Sequence, residues 1–100
     1  NLIKPKASAR RNKTNERAWR GDPRMILRLQ PTQFDYRDGG AKDVLFFIAE
    51  DVAQVSPILV NVDRRGRPES IRTDALVAAL VALAKEQDAR IRSLEARLTR

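Results

Sequence analysis

Residues 74–98 read DALVAALVALAKEQDARIRSLEARL, and the fold turns on this stretch. Val77, Leu80, Ala84, Gln87, Ile91, Leu94 and Leu98 follow one another at alternating spacings of three and four. That spacing is a heptad, with Val77, Ala84, Ile91 and Leu98 at a and Leu80, Gln87 and Leu94 at d. It predicts a single helix over 74–98, with Asp74 placed to cap its start. Arg90 at g faces Glu95 at the next e of a neighbouring parallel helix, the charge pairing that parallel strands use. Leu76 and Leu83 at g and Val81 at e are apolar as well, so the stripe is broader than a two-helix seam needs. It must pack on the rest of the domain or on more than one partner helix. Gln87 inside the seam costs stability and can fix register. The competing reading, an amphipathic helix packed on its own domain, accounts poorly for residues 86–100. They are too charged for a core helix and want a partner along Ile91, Leu94 and Leu98.

Working back from that helix, the preceding residues alternate between short helix and strand signals. Residues 1–20 carry no 3.6-residue stripe and read as an extended or irregular arm. Asp22-Pro23 is a helix start, with Asp22 at the N-cap and Pro23 at the first helical position. That helix must end before Pro31, which disfavours helix at Gln30. Thr32 to Arg37 alternates as a half-buried strand, and Asp38-Gly39-Gly40 turns the chain. Val44 to Ile48 is an apolar run suited to a strand buried on both faces. Ala49 to Val55 reads as two helical turns, ended by Ser56-Pro57. Ile58 to Asp63 is a strand, and Glu69 to Arg72 returns as its hairpin partner across Arg64-Arg65-Gly66-Arg67-Pro68. Helix, strand, strand, helix and hairpin in that order indicate an α+β fold. The chain thus divides into a basic arm (1–20), an α+β core (21–73) and an oligomerising helix (74–100).

Composition removes several classes of chemistry. With no cysteine there is no disulfide and no thiolate metal site, and with no histidine the commonest general base and metal ligand are missing. A zinc enzyme or a Ser-His-Asp hydrolase is excluded within these residues, so any catalysis must run on Ser, Lys, Asp, Glu or Tyr. Asp35, Asp38 and Asp43 lack a calcium-loop pattern, and the adjacent Glu50 and Asp51 do not face one another on a helix. No metal and no cofactor is expected. The longest apolar run, Ala75 to Ala84, is half the ~20 residues of a membrane span, so no membrane partner is expected. No secretory signal is visible, and a start at Asn1 instead of Met is expected of an excised piece. Residues 1–28 carry nine basic and two acidic side chains, while residues 29–100 carry eleven of each sign. The net charge of +7 is therefore a property of the arm.

Four stretches, in this order, resemble the intramolecular chaperone auto-processing domain of phage tailspikes, endosialidases and tail fibres. They are Ser8-Ala9-Arg10-Arg11-Asn12-Lys13, then Ile26 to Tyr36, then Phe47-Ile48-Ala49-Glu50-Asp51-Val52, then Pro68-Glu69-Ser70-Ile71-Arg72 leading into Leu76. The resemblance covers residues 8–98. It implies a small mixed helix/strand domain with a hairpin, whose long C-terminal helix forms a parallel trimeric coiled coil. It implies a homotrimer that sets the register of an upstream fibre or tailspike domain of the same chain. It also implies a single-turnover serine–lysine autoprotease that cuts between Ala7 and Ser8, in a virion tail component assembled in the bacterial cytoplasm. Asn12 and Glu16 stand where the family has apolar residues, Phe46 where it has glycine, and Thr73 where tyrosine is common. The first two bear on cleavage more than on the fold. Because residues 1–7 are present, the molecule is expected to be uncleaved, inactive or deliberately made to keep them.

A serine hydroxyl needs a base before it attacks, and Lys13 is the natural candidate in a chain without histidine. Lysine free in water is protonated at neutral pH and becomes a base only when desolvated or crowded by other cations. Arg10, Arg11 and Arg17 supply such cations once three arms meet. Residues five apart in a strand point to opposite faces and in a helix lie ~140° apart, so Ser8 and Lys13 meet only across a turn or between chains. The plain alternative is a loop serine beside a solvated lysine. A second reading makes the arm a nucleic-acid contact, through Arg10, Arg11, Lys13, Arg17, Arg20, Arg24 and Arg28 with Trp19 stacking on a base. No recognised nucleic-acid motif supports it, and Trp19 is expected instead to anchor in the core under the Gly21 turn. A third reading is a trimerisation cap that never cleaves.

Overall fold

The computed structural model describes residues 7–99. In chain order it contains a 3₁₀ turn Arg10–Asn12, a 3₁₀ helix Pro23–Arg28, strands β1 (Thr32–Phe34) and β2 (Val44–Phe46), and helix α1 (Ala49–Val55). A 3₁₀ turn Pro57–Leu59, strands β3 (Val60–Val62) and β4 (Pro68–Ile71) and helix α2 (Thr73–Leu98) follow. β1 pairs antiparallel with β2 and β3 with β4, giving two separate two-stranded hairpins. The chain is thus a small mixed helix/strand domain carrying a long C-terminal helix.

Local chemistry explains the short elements. The Asp22 side chain accepts from Arg24 N–H at 2.9 Å, and Pro23 occupies the first helical position. With Gln30 forced toward extended backbone by Pro31, only about two turns fit between the two prolines. The segment therefore closes as 3₁₀ helix. Asp63 organises the second hairpin. One oxygen accepts from the backbone N–H of Arg65 and Arg67, both at 2.9 Å, and the other accepts from Arg67 Nε at 2.8 Å. Those bonds, led by the Arg67 backbone, hold the Asp63 carboxyl below the ordinary carboxylate range. Gly66 supplies the left-handed backbone at the tip, with φ +78°.

The core is aliphatic. Leu59 is fully enclosed, with Val52, Val60, Ile26, Leu76, Ala79 and Leu83 around it. From α2 it takes Leu76, Ala79 and Leu83, one stripe of the helix. The neighbouring stripe of Val77, Leu80, Ala84, Gln87, Ile91, Leu94 and Leu98 is exposed along its whole length. Beyond Glu86 every described residue of α2 is exposed. Twelve residues, ~18 Å of helix, thus stand clear of the domain. The radius of gyration is accordingly 17.6 Å, against roughly 13 Å for a compact chain of this length.

Several expectations are corrected. The apolar run 44–48 is not a strand buried on both faces. β2 ends at Phe46, and Leu45 is 72% exposed because no element covers the outer face of its hairpin. Ile58 and Leu59 belong to a 3₁₀ turn begun by Pro57, so the strand starts at Val60. Asp74 is not the cap of α2. The helix starts one residue earlier, behind Arg72, and the Asp74 carboxylate accepts from Ala75 N–H inside the first turn. Its charge there suits the helix dipole. Trp19 does lie over Gly21, where any Cβ would strike the indole, but it is half exposed and outside the core. Apart from these corrections, Arg90 within its own helix pairs with Glu86 at 3.1 Å, and its pairing with Glu95 of a neighbouring helix concerns a second chain.

Replacing Leu59 by alanine empties the centre of this core. Urea unfolding of Leu59→Ala should show a loss of about 2–5 kcal/mol; a change within experimental error would contradict the packing described.

Candidate functional site

The arm folds back on itself at Ser8. Asn12 N–H donates to Ala9 O at 3.1 Å and Lys13 N–H to Arg10 O at 3.0 Å, which closes the 3₁₀ turn Arg10–Asn12. This turn removes the obstacle of a five-residue spacing. It brings Lys13 Nζ to 2.8 Å from Ser8 Oγ, with the lysine donating. Ala7, whose carbonyl precedes Ser8, lies at the start of the same segment.

A second link reinforces the loop. Arg10 Nε and Nη2 donate to the two oxygens of Glu16 at 2.8 and 3.2 Å, a bidentate pair. Asn15, at φ +55°, turns the backbone so that Glu16 can reach back, and Arg17 Nη1 donates to the Asn15 carbonyl at 2.9 Å. The Arg10 guanidinium holds the Glu16 carboxyl below its ordinary range, and the nearby charge of Lys13 acts in the same direction. Glu16 thus acts as a clamp on the loop. Ser8, Arg10, Lys13 and Glu16 together line one shallow surface depression. Asn12 makes no side-chain hydrogen bond among the described residues.

All four residues are exposed, so the pair is assembled but stands in water. The arrangement contains a nucleophile and an amine in contact. Attack requires an unprotonated amine and an environment that excludes solvent.

The other sequence candidates are placed as follows. Val77, Leu80, Ala84, Gln87, Ile91, Leu94 and Leu98 share one exposed face of α2. Among the described residues no three His, Cys, Asp or Glu side chains form a group able to hold a metal ion. Asp35 accepts from Asp43 N–H and Asp38 from Gly40 N–H, both at 2.8 Å, so these acids organise the β1–β2 loop. Among the described residues no helix is long and apolar enough to cross a membrane. Arg11, Arg17 and Arg20 make no ion pair among the described residues. Sequence reasoning missed two features: the Arg10–Glu16 clamp and an aromatic cleft lined by Phe34, Tyr36, Phe46 and Phe47. The acid six residues after an arginine was the one available signal for the clamp.

Glu16 supports the loop above the ordinary carboxylate range, and its contribution is lost as pH falls through its lowered value. In a carbon-detected NMR titration the Glu16 carboxyl should have a midpoint below that of free glutamate, and Arg10→Ala should move it upward. An unchanged midpoint in Arg10→Ala would contradict the clamp. In comparisons with known proteins, the chain matches no family model, no curated protein and no solved structure.

Proposed function

We propose that this chain is an intramolecular chaperone that trimerises through α2, sets the register of an upstream tail-fibre or tailspike domain, and then releases itself by cutting between Ala7 and Ser8. One observation carries the reading. α2 packs on its own domain through Leu76, Ala79 and Leu83, while its complete a/d stripe is left in water. Val77, Leu80, Ile91, Leu94 and Leu98 are 45–85% exposed. The projecting half has no tertiary packing, and a helix of about a dozen residues is marginal alone in water. The accessible surface of 9036 Å² exceeds by more than half the roughly 5,800 Å² of a compact monomer of this mass. A parallel three-helix seam would cover the stripe, and Arg90 would then reach Glu95 of a neighbouring helix.

Release follows from the Ser8–Lys13 contact. Three converging arms bring cationic side chains together, which favours the neutral amine of a lysine among them. As free amine, Lys13 takes the Ser8 hydroxyl proton while Oγ bonds to the Ala7 carbonyl carbon. The Ala7–Ser8 C–N bond then breaks, the lysine returns the proton to the departing nitrogen, and an ester to Oγ remains. Water hydrolyses that ester, leaving a carboxylate on Ala7 and a new amino terminus on Ser8. Cleavage in this scheme reports assembly, because a lone arm leaves the pair in solvent.

The exposed Arg11, Arg17 and Arg20 with half-exposed Trp19 also fit a nucleic-acid contact. Binding through six or more phosphates would weaken steeply between low and moderate salt, whereas association through an apolar seam would not.

Ile91→Asp with Leu94→Asp should leave the domain folded by circular dichroism but reduce it to single chains by light scattering. An unchanged oligomer would contradict the seam. In a chain extended upstream, intact mass should fall by everything before Ser8 after assembly, and both Ser8→Ala and Lys13→Ala should abolish the loss. A full-length mass for the native sequence would leave only a trimerisation cap.

A further inference from the structure

Four of the five aromatic side chains, of which Phe47 also packs against the core, line one open cleft between the two hairpins. Phe34, Tyr36, Phe46 and Phe47 line it, and Glu50 and Glu69 stand at its walls. Phe34 and Tyr36 meet edge to face with ring centroids 5.3 Å apart, and Phe46 and Phe47 are tilted at 5.5 Å, so both pairs are pre-arranged. Neither Glu50 nor Glu69 makes a side-chain ion pair or hydrogen bond among the described residues. Aromatic faces beside free carboxylates are the chemistry that holds guanidinium groups, by cation–π contact and charge pairing together.

The chain itself carries a matching ligand. The arm displays Arg11, Arg17 and Arg20 with no acidic partner among the described residues, and residues 10–20 are exposed throughout. No arm residue lines the cleft of its own chain.

We propose that the aromatic–acidic cleft receives the arginine-rich arm of a neighbouring copy. Arg17 and Arg20 of one chain lie against Glu50, Glu69 and the aromatic faces of the next. A head-to-tail contact of this kind closes on itself under three-fold symmetry, each arm and each cleft being used once. The proposal rests on the trimer reading and adds to it a strap that ties the arm of each chain, and with it the Ser8–Lys13 loop, to its neighbour.

The test uses the absence of native cysteine. A chain carrying Thr14→Cys and a differently tagged chain carrying Ser70→Cys are mixed, unfolded, refolded together and oxidised, with sedimentation run on the same sample. A 14–70 disulfide between the two tagged chains is expected. Adding Glu50→Lys and Glu69→Lys to the second chain should lower its yield about tenfold. Adding Arg17→Glu and Arg20→Glu to the first should restore it, with unchanged circular dichroism throughout. Trimers without that disulfide, or a yield indifferent to charge reversal, would overturn the strap and leave the trimer standing. Single chains without cross-links would overturn both. A doubly substituted chain that links only to itself on dilution would assign the cleft to its own arm. A cleft that never links to an arm yet binds free oligoarginine peptide would assign it to a foreign cationic partner. Either result defeats the proposal.

Discussion

The fold depends on the inner stripe of one long helix. Leu76, Ala79 and Leu83 of α2 close over Leu59, Val52 and Ile26, which ties the helix to the 3₁₀ segments Pro23–Arg28 and Pro57–Leu59 and to α1. That demand uses one stripe and leaves the adjacent one, from Val77 to Leu98, outside. A chain of this size has too little interior to bury both. The division between a stripe packed on the domain and a stripe left in solvent follows from the width of the apolar pattern. It also fixes how the domain is oriented to whatever covers the second stripe, since both lie on a single rigid helix.

Much of this was legible in the sequence, and the residues show why. α1 and α2 were read almost to their ends, because period and flanking prolines act locally. The α2 stripe is wider than the domain can cover, and the assignment of Leu76 and Leu83 to the packed side needed the fold. Asp22 was legible as a cap because its bond is to a residue two positions on. Asp74 was not, because a helix can start one residue earlier with no side-chain cap. β2 was misjudged for a physical reason: an apolar run says that a segment can be buried, and only topology says what lies over it. Leu45 has nothing over it within a single chain.

The site divides in the same way. That Ser8 and Lys13 could meet across a turn was readable, and the turn itself is a short-range backbone event at Arg10–Asn12. The Glu16 clamp was not readable, since it depends on the left-handed backbone of Asn15. The aromatic cleft was invisible because its walls come from β1, β2, α1 and β4, which sequence spacing cannot juxtapose. Trp19, assigned to the core by its size, stays at the rim because Gly21 offers backbone to lie on and the aliphatic core is already closed.

Everything proposed for the arm presupposes that the outer stripe of α2 is covered by identical chains. Sedimentation equilibrium of the native chain at micromolar concentration measures this directly. The account predicts a single species of three times the 11.4 kDa chain mass, insensitive to moderate salt. A stable, folded species at one chain mass would contradict it.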